Sequence, residues 1–418
     1  MKYIKRTIEA QILALKKEYA CILITGPRQV GKTTVVEHID DKKKMGYVTL
    51  DDLQERKLAS KDPKMFLEMH DAPVFIDEIQ YAPELFSYIK MKIDKGAKPG
   101  SYILSGSQSF KLMDLAKESL AGRVAIINMT PLSQAEIYGY KNKKFKLDLP
   151  DLKKRSAPPA NIRETYKRIY NGSMPAFISG RYTNKNMYYE SYISTFIERD
   201  ISEEIKGVDK FLFSDFVRAC ACRVSQVLNI HSIASDVGIS DDTAKRWIKI
   251  LEKSQVIFLL HPYSNNLLKR VIRAPKLYFF DTGIVIHLTK QSSPEVLMND
   301  AMSGAILENY CINEIIKTYR NECEEPLIYY YRDTNGNEID LCIIYDNKIH
   351  PIEIKKTSGP NAHMISAFKL LDNLNIKRGK GAIICFSEKL SALDEMNFIN
   401  ADKFLGPYSL GTYPNSNT

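Results

Sequence analysis

The sequence predicts an α/β protein in three parts: an N-terminal parallel sheet, a helical middle and a smaller C-terminal α/β domain. Short β-branched runs alternate with helical patterns between residues 20 and 140, which is typical of a parallel sheet covered by helices on both faces. A glycine-rich loop, GPRQVGKTT, follows the first of these runs. Near the other end, two adjacent apolar runs within residues 337–357 carry two acids and a lysine.

Length and composition limit the classes of protein that this chain can belong to. At 418 residues it is too long for one compact core, so we expect two to four domains. Its 44% hydrophobic and 26% charged residues are ordinary for a folded protein. The formal net charge of +9 is modest for this length, but it permits binding to nucleic acid or another anionic surface.

The apolar runs also indicate where the protein acts. Runs such as CILIT and VIFLLH are far shorter than the roughly 20 residues that span a bilayer. The N-terminal segment reads as an amphipathic helix and lacks the pattern of a secretory signal. Seven cysteines without a metal-binding or disulfide pattern suit a reducing compartment. We therefore expect a cytoplasmic protein with no membrane partner.

The glycine-rich loop lies between a predicted strand and a predicted helix, where a phosphate-binding loop is found. Its glycines let the backbone curl so that successive N–H groups point at one anion, and the helix adds its positive N-terminal end. Lys32 can reach the β- and γ-phosphates of ATP, and the Thr33 hydroxyl can be a ligand of Mg²⁺. The predicted nucleotide-binding residues are Gly26, Pro27, Arg28, Gln29, Val30, Gly31, Lys32, Thr33 and Thr34.

Acids at the end of a later strand complete the predicted hydrolytic site. In VFIDE, Asp77 would hold Mg²⁺ through water and Glu78 would polarise the attacking water, although the two acids could instead cap the next helix. Ser105 and Ser107 end another strand, and Ser107 is the preferred sensor of the γ-phosphate. Arg123 is a candidate to touch the γ-phosphate of a neighbouring copy, which implies a homo-oligomer; a plain surface arginine is the alternative.

The middle of the chain predicts a helix-turn-helix. A basic, proline-containing stretch after residue 140 reads as an exposed connector. Farther on, a short helix ends at Gly238, Ser240 caps a second helix, and a strand follows where the wing of a winged helix belongs. Lys245, Arg246 and Lys249 lie off the apolar stripe of the second helix and could contact DNA phosphates. Alternatively, the module only packs or oligomerises.

The C-terminal apolar runs predict a hairpin with acids on one face. Asp340 and Glu353 would lie on neighbouring strands and could share a divalent cation, with Glu308 as a third carboxylate. Lys355 would project from the same face as Glu353 and could orient the attacking water. Metal-dependent nucleases present their acids and lysine in this way. The alternatives are polar residues on the outer face of a hairpin, or a site that clamps DNA without cutting it.

In its order of motifs, the chain resembles AAA-class P-loop ATPases of bacteria and archaea that carry a C-terminal domain of unknown function. The motifs are GPRQVGKTT, LDD at 50–52, FIDEIQ at 75–80, LSGS at 104–107, ESLAGRV, PLSQAE at 131–136, IERD at 197–200, ISDDTAKRWIKILE, APKLYFFDTG at 274–283, NEIDLCI and IEIKK. The resemblance implies an AAA-type core, a winged-helix-like middle and a remote likeness to PD-(D/E)xK, or restriction-endonuclease-like, domains. The residue before Asp340 is isoleucine rather than proline, a departure shared by many nuclease-like folds.

These observations give predicted boundaries and three hypotheses of function. The boundaries are 1–140 for the ATPase domain, 141–168 for a basic linker, 169–290 for the helical and winged-helix region, 291–400 for the nuclease-like domain and 401–418 for a tail. The preferred hypothesis is an ATP-binding, ATP-hydrolysing switch or motor on DNA. The others are a switch that binds a protein client without nucleic acid, and an ATP-regulated, Mg²⁺-dependent nuclease.

Overall fold

The computed structural model describes residues 3–40, 44–107, 120–147, 161–196, 209–266, 273–386, 392–393 and 396–400. Its first sheet contains β1 (Cys21–Gly26), β2 (Gly46–Thr49), β3 (Val74–Asp77), β4 (Tyr102–Ser107) and β5 (Val124–Asn128). The strands are all parallel, in the order β2-β3-β4-β1-β5. This confirms the predicted parallel sheet and places β1, at whose end the glycine-rich loop starts, between β4 and the edge strand β5.

Helices cover both faces of this sheet because its strands are apolar on both sides. The helices are α1 (Ile8–Leu15), α2 (Lys32–Ile39), α3 (Leu53–Lys61), α4 (Pro63–Met69), α5 (Leu85–Asp94) and α6 (Gln134–Ile137). On one face, α1 and α2 pack against Ile22 and Ile24. On the other, α3, α4 and α5 pack against Cys21 and Leu23. Successive residues of β1 thus serve opposite layers, as strand geometry requires.

The middle of the chain is helical and ends in a two-stranded sheet. The helices are α7 (Ile162–Asn171), α8 (Pro175–Ile178), α9 (Lys185–Phe196), α10 (Lys210–Ala221), α11 (Ile230–Val237) and α12 (Asp241–Lys253). Strands β6 (Ile257–Leu260) and β7 (Lys276–Phe279) then pair in antiparallel fashion. Next come α13 (Thr282–Leu288), α14 (Pro294–Asn299) and the long helix α15 (Ser303–Arg320).

A mixed sheet forms the C-terminal part. Its strands are β8 (Ile328–Arg332), β9 (Glu338–Tyr345), β10 (Lys348–Ile354), β11 (Lys377–Arg378), β12 (Ala382–Cys385), β13 (Ala392–Leu393) and β14 (Met396–Asn400). β8, β9 and β10 are antiparallel, and β12 pairs with β10 in parallel. The segment from Ala362 to Asn373 is a 3₁₀-helix. None of the helices in the described residues is long and apolar enough to cross a membrane.

One hydrophobic core joins the middle of the chain to the C-terminal sheet. It runs without a break from Phe145 through Trp247 and Tyr278 to Ile352. Helix α15 lies at its centre, with apolar side chains such as Ile306, Ile312 and Ile315 fully buried. The two parts are therefore packed as one unit, although their sequences suggest separate domains.

The predicted exposed connector is largely structured where it is described. Phe145 is fully buried, and its backbone N–H donates to the Thr318 hydroxyl at 3.1 Å. The Leu147 N–H donates to the Tyr345 hydroxyl at 2.8 Å. The aromatic and leucine side chains lie between lysines, so the basic composition hid an apolar pattern that packs on the C-terminal part. Residues 148–160 of the connector and the tail at 401–418 lie outside the described residues.

Candidate functional site

The phosphate loop joins β1 to α2, and two of its glycines occupy positions that other residues would not tolerate. Gly26 has φ = 150°, and a Cβ there would lie 2.3 Å from the carbonyl oxygen of Met129. Gly31 has φ = 89° and directly precedes the first residue of α2. The curled backbone and the helix N-terminus together form the arrangement that binds phosphate through N–H groups.

Lys32 lies inside the curve of this loop. Its side chain is buried, and Nζ donates to the carbonyl oxygens of Gly26 at 3.0 Å and of Pro27 at 2.9 Å. The ammonium group is therefore held at the loop, where it can neutralise the oxygens of a bound phosphate.

Three oxygen-bearing side chains meet beside the loop. The Thr33 hydroxyl donates to Asp77 Oδ2 at 2.7 Å, and the buried Ser105 hydroxyl donates to Asp77 Oδ1. Asp77 lies at the end of β3, and Thr33 in the first turn of α2, so the fold brings them together from 44 residues apart. A hydroxyl and a carboxylate so placed fit Mg²⁺, which binds oxygen ligands and, with a nucleotide, bridges phosphate oxygens. The Ser107 side chain lies outside the described part, so its role as sensor of the γ-phosphate stays a prediction.

Glu78 and Arg123 have different places relative to the loop. Glu78 adopts a left-handed backbone conformation, with φ = 57°, and lines the cavity next to the loop. Such a conformation is uncommon for a residue with a side chain and is often found at functional sites. Arg123 lies outside that cavity: Nε donates to Asp94 Oδ1 at 2.6 Å, and more than a third of the side chain is exposed. That Arg123 touches the γ-phosphate of a neighbouring copy stays a prediction.

A cavity of about 430 Å³ opens over the loop, and three stretches of the chain supply most of its lining. The loop and the start of α2 contribute residues 28–35, the N-terminal segment contributes Tyr3, Ile4 and Arg6, and residues within 175–182 form the third wall. Single residues complete the lining: Glu78, Leu132 and Thr195. We call residues 175–182 the lid segment. Because the lid segment belongs to the helical middle, the cavity is shared between the first sheet and the rest of the chain.

Sequence reasoning missed the residues that the other two walls supply. From the lid segment, Arg181 and Tyr182 line the cavity directly after Gly180, whose φ is 76°. Tyr3 stacks on His38 with 3.8 Å between the ring centroids. The short helix PAFI followed by Gly-Arg-Tyr was the one local signal, and it has no periodic pattern. The wall contributed by Tyr3 depends on contacts between distant segments.

Arg6 fixes the loop from behind. Its buried guanidinium donates to the carbonyl oxygens of Val30 at 2.8 Å and Thr130 at 2.7 Å, and to Glu136 Oε1 at 3.0 Å. Burial raises the pKa of the Glu136 carboxyl, but the Arg6 guanidinium and the Ser133 N–H outweigh it, so that this pKa is lowered. The charged pair thus ties the loop to the turn that follows β5.

The acids and the lysine of the C-terminal hairpin also meet. Leu341 of β9 pairs with Ile352 of β10, which places Asp340 beside Glu353. Lys355 Nζ lies 2.6 Å from Glu353 Oε2 and 3.3 Å from Asp340 Oδ2. Burial and the nearby Asp340 carboxylate raise the pKa of Glu353, against the effect of Lys355.

Glu308 is held by a lysine that sequence reasoning did not single out. Lys276 of β7 is buried, and its Nζ lies 3.1 Å from Glu308 Oε1 and 2.6 Å from Glu338 Oε1. The Tyr278 hydroxyl also donates to Glu308 at 2.6 Å. Burial and then Asp340 raise the pKa of Glu308 to about 7, since one lysine cannot neutralise all the surrounding acids. We call these six side chains the acidic cluster: Lys276, Glu308, Glu338, Asp340, Glu353 and Lys355.

That Glu308, Asp340 and Glu353 share one cation stays a prediction. In the part of the chain that the structure describes, no group of three or more acids, histidines or cysteines is placed to hold a metal ion. The physical reason is that Lys276 already pairs with Glu308, and Lys355 lies between Asp340 and Glu353. These two ammonium groups offset part of the negative charge of the carboxylates.

The helix-turn-helix forms as its sequence suggests. Helix α11 ends at Gly238, with φ = 77°, and the Ser240 hydroxyl accepts from the Thr243 N–H at 3.2 Å. The apolar stripe of α12 is buried: Ala244, Trp247, Ile248 and Leu251, with Ile250 beside it. The candidate DNA-contacting residues Lys245, Arg246 and Lys249 are all exposed. Only Lys245 of these has an acid within reach, Asp242 at 3.2 Å.

Comparison with protein families divides the chain into three ranges. Residues 18–138 match the model of a family described as an AAA domain. Residues 162–295 match a domain of unknown function, DUF8612, and residues 303–404 match another, DUF4143. Together with the loop geometry above, the first match supports a P-loop ATPase domain in the N-terminal part.

Two proteins with sequences similar to this chain are described as uncharacterised. An uncharacterised protein of Mycobacterium tuberculosis is 27% identical over 354 residues, which are 84% of this chain and 74% of that protein. One from Methanocaldococcus jannaschii is 23% identical over 341 residues, with 73% and 69% covered.

Among solved structures, the Walker-type ATPase PABY2304 of Pyrococcus abyssi has a TM-score of 0.44 and 14% identity, covering 68% of this chain and 96% of that one. The RuvB Holliday junction branch migration motor of Thermotoga maritima has a TM-score of 0.30 and 17% identity, covering 61% of this chain and 89% of that one. These similarities are too low to carry over a function.

Two substitutions separate nucleotide binding from hydrolysis. We expect Lys32→Ala to abolish ATP binding, because it removes the ammonium group held inside the loop. Glu78→Gln should still bind ATP but turn it over about 10²–10⁴ times more slowly, since the group that polarises water is lost. Calorimetric titration with ATP and phosphate release measure the two properties. Glu84→Gln, an exposed acid nearby, is the control; full turnover in Glu78→Gln would remove Glu78 from catalysis.

The raised pKa of Glu308 predicts how stability depends on pH. Between about pH 4.5 and 7 the folded protein keeps a proton that the unfolded chain has released, so the free energy of unfolding falls as pH rises through this window. The loss attributable to Glu308 is about 3 kcal/mol. Glu308→Gln should flatten this part of the profile, measured by urea unfolding at a series of pH values. An unchanged slope in that variant would contradict the assignment.

Proposed function

We propose that this protein is an ATP-dependent switch that acts on DNA. One observation carries the proposal: the phosphate loop and the lid segment line the same cavity, and the lid segment belongs to the part that carries the exposed basic helix α12. A nucleotide in this cavity contacts both parts. Its binding and hydrolysis therefore change the free energy of their relative position, which is what a switch requires.

Hydrolysis would use side chains of the cavity in distinct roles. Lys32 offsets the negative charge of the phosphate oxygens. Glu78 accepts a hydrogen bond from the attacking water, which turns a lone pair of the water oxygen toward the γ-phosphorus. Thr33 and Asp77 would hold Mg²⁺, which offsets the charge of the triphosphate. Ser105 fixes Asp77 from the neighbouring strand. Arg181 lines the cavity in the same chain, whereas Arg123 could serve a neighbouring copy.

The middle of the chain offers a surface of the right charge for DNA. We interpret α10, α11 and α12, followed by the β6–β7 pair, as a winged helix whose second helix enters a groove. Lys245, Arg246 and Lys249 would then neutralise phosphates. Contacts of this kind set position on DNA rather than sequence preference, so we expect little discrimination between sequences.

The DNA proposal predicts a loss of affinity on removing the basic face of α12. Replacing Lys245, Arg246 and Lys249 together by alanine should weaken binding to duplex DNA about tenfold or more at low salt. It should also make the slope of log affinity against log salt concentration less steep, by the amount that about three phosphate contacts contribute. Gel shifts with and without ATP and Mg²⁺ measure both effects.

The matched control for this experiment removes the same charge elsewhere. Lys57, Lys61 and Lys64 are exposed on α3 and α4, away from α12, and their replacement by alanine should leave binding unchanged. If the wild type binds no DNA in any condition at low salt, the proposal falls. A stoichiometric protein that co-purifies in place of nucleic acid would support a protein client instead.

A second candidate function is an ATP-regulated nuclease. It is favoured by the contact of Lys355 with both Asp340 and Glu353, which reproduces the acids and lysine that such enzymes place around a scissile phosphate. The pairing of Glu308 with Lys276 weighs against it, because a third carboxylate is already engaged. A site that holds DNA through its charges, without cutting it, fits the same geometry.

The nuclease hypothesis has a direct test. If it holds, Glu353→Ala and Lys355→Ala each abolish Mg²⁺-dependent cutting of plasmid DNA and leave ATP hydrolysis intact. Asp346→Asn, in the exposed turn of the same hairpin, keeps a residue that tolerates the left-handed backbone there and should cut normally. Cutting that persists in both active-site variants would show that it comes from another site or from a contaminant.

A further inference from the structure

A buried ion pair near the C-terminal end of α15 connects three distant segments. Glu314 and Lys317 are 3% and 2% exposed, and Lys317 Nζ lies 2.8 Å from Glu314 Oε1. The same Nζ donates to the Leu132 carbonyl oxygen at 2.9 Å and to the Ser173 hydroxyl at 3.1 Å. The ammonium group thus has three acceptors, and two of them come from other parts of the chain.

Those two acceptors belong to segments that line the nucleotide cavity. Leu132 itself lines the cavity, and Ser173 precedes the lid segment, which begins at Pro175. The two segments also bind each other directly, since the Leu132 N–H donates to the Ser173 carbonyl oxygen at 2.9 Å. Lys317 therefore holds the point at which the lid segment meets the ATPase domain.

Both segments are fixed on their far sides. The turn around Leu132 is bound by Arg6, which also holds the loop through Val30, and Glu314 Oε2 accepts from the Gln134 N–H at 2.8 Å. Asp281 Oδ2 accepts from the Ser173 N–H at 2.6 Å and from its hydroxyl at 2.9 Å. A displacement of Lys317 would consequently change the distance between the lid segment and the loop.

We propose that Glu314 and Lys317 are positioning residues of the nucleotide site, although they lie in the C-terminal part of the chain. They hold the lid segment at the distance from the phosphate loop that a nucleoside triphosphate requires. This inference rests on the proposed binding of ATP in the shared cavity. It assigns to α15, which matches a domain of unknown function, a share in setting nucleotide affinity.

The experiment must separate positioning from simple stabilisation. Lys317→Met alone leaves the Glu314 carboxylate buried without its partner and can unfold the protein. The double variant Glu314→Gln/Lys317→Met removes both charges at similar volume, and Lys317→Arg keeps the charge. The probe is a fluorescent N-methylanthraniloyl derivative of ATP, titrated in the presence of Mg²⁺. We expect the double variant to bind it about tenfold more weakly and the arginine variant to recover most of the affinity.

A double-mutant cycle shows whether the effect passes through the lid segment. In an Arg181→Ala background, the same Glu314 and Lys317 substitutions should change affinity less than twofold, because the lid contact that they position is already lost. Asn309→Ala is the control: Asn309 lies on the same helix and binds the backbone of Phe279, away from the cavity. It should destabilise the fold without changing affinity.

Each outcome bears on a different claim. Equal affinity in the wild type and the double variant overturns the positioning role and leaves ATP binding intact. Tenfold losses in both backgrounds also overturn it, since the effect would then be independent of the lid. If the wild type itself does not bind the probe, the proposed function falls, and this inference falls with it.

Discussion

The burial of one guanidinium group constrains the whole ATPase half of the molecule. Arg6 is withdrawn from water, and an uncompensated charge there would cost several kcal/mol. The group therefore has to meet acceptors, and it finds them on the phosphate loop, on the end of the sheet and on Glu136. Satisfying this single residue orders the N-terminal segment, fixes the back of the loop and orients the turn on which α15 docks. The cavity exists because these three elements are held at fixed distances.

Local patterns were sufficient for some of this architecture. The glycines and lysine of the loop, the strand ending in Asp77 and the alternation of strands and helices identified the ATPase core, because each depends on neighbours within a few residues. The facing of Asp340 and Glu353 follows from a hairpin register, which is also local. The helix-turn-helix could be read from Gly238 and the cap at Ser240 for the same reason.

Other features depend on contacts between residues far apart, and no local pattern encodes them. Lys276 lies on a strand of the middle region yet pairs with Glu308 of α15 and with Glu338 of the C-terminal sheet. Arg6 meets Glu136 across 130 positions, and Phe145 is buried although lysines surround it in the sequence. The stretch around Phe145 was predicted to be an exposed connector because its composition is basic, but composition alone does not determine which side chains are buried. Likewise, the paired carboxylates suggested a metal site, and no local pattern indicated that Lys276 pairs with Glu308.

Helix α15 carries a member of the acidic cluster, Glu308, and the positioning residue Lys317 on one rigid body. They are nine residues apart, about 13 Å along the axis. A helix so deeply packed does not bend easily, so a tilt that displaces Glu308 must also displace Lys317. Occupancy of the nucleotide cavity would then be coupled to the protonation and ion pairing of the acidic cluster. By reciprocity, a ligand bound by the acidic cluster would change the affinity for nucleotide by the same factor as nucleotide changes the affinity for that ligand.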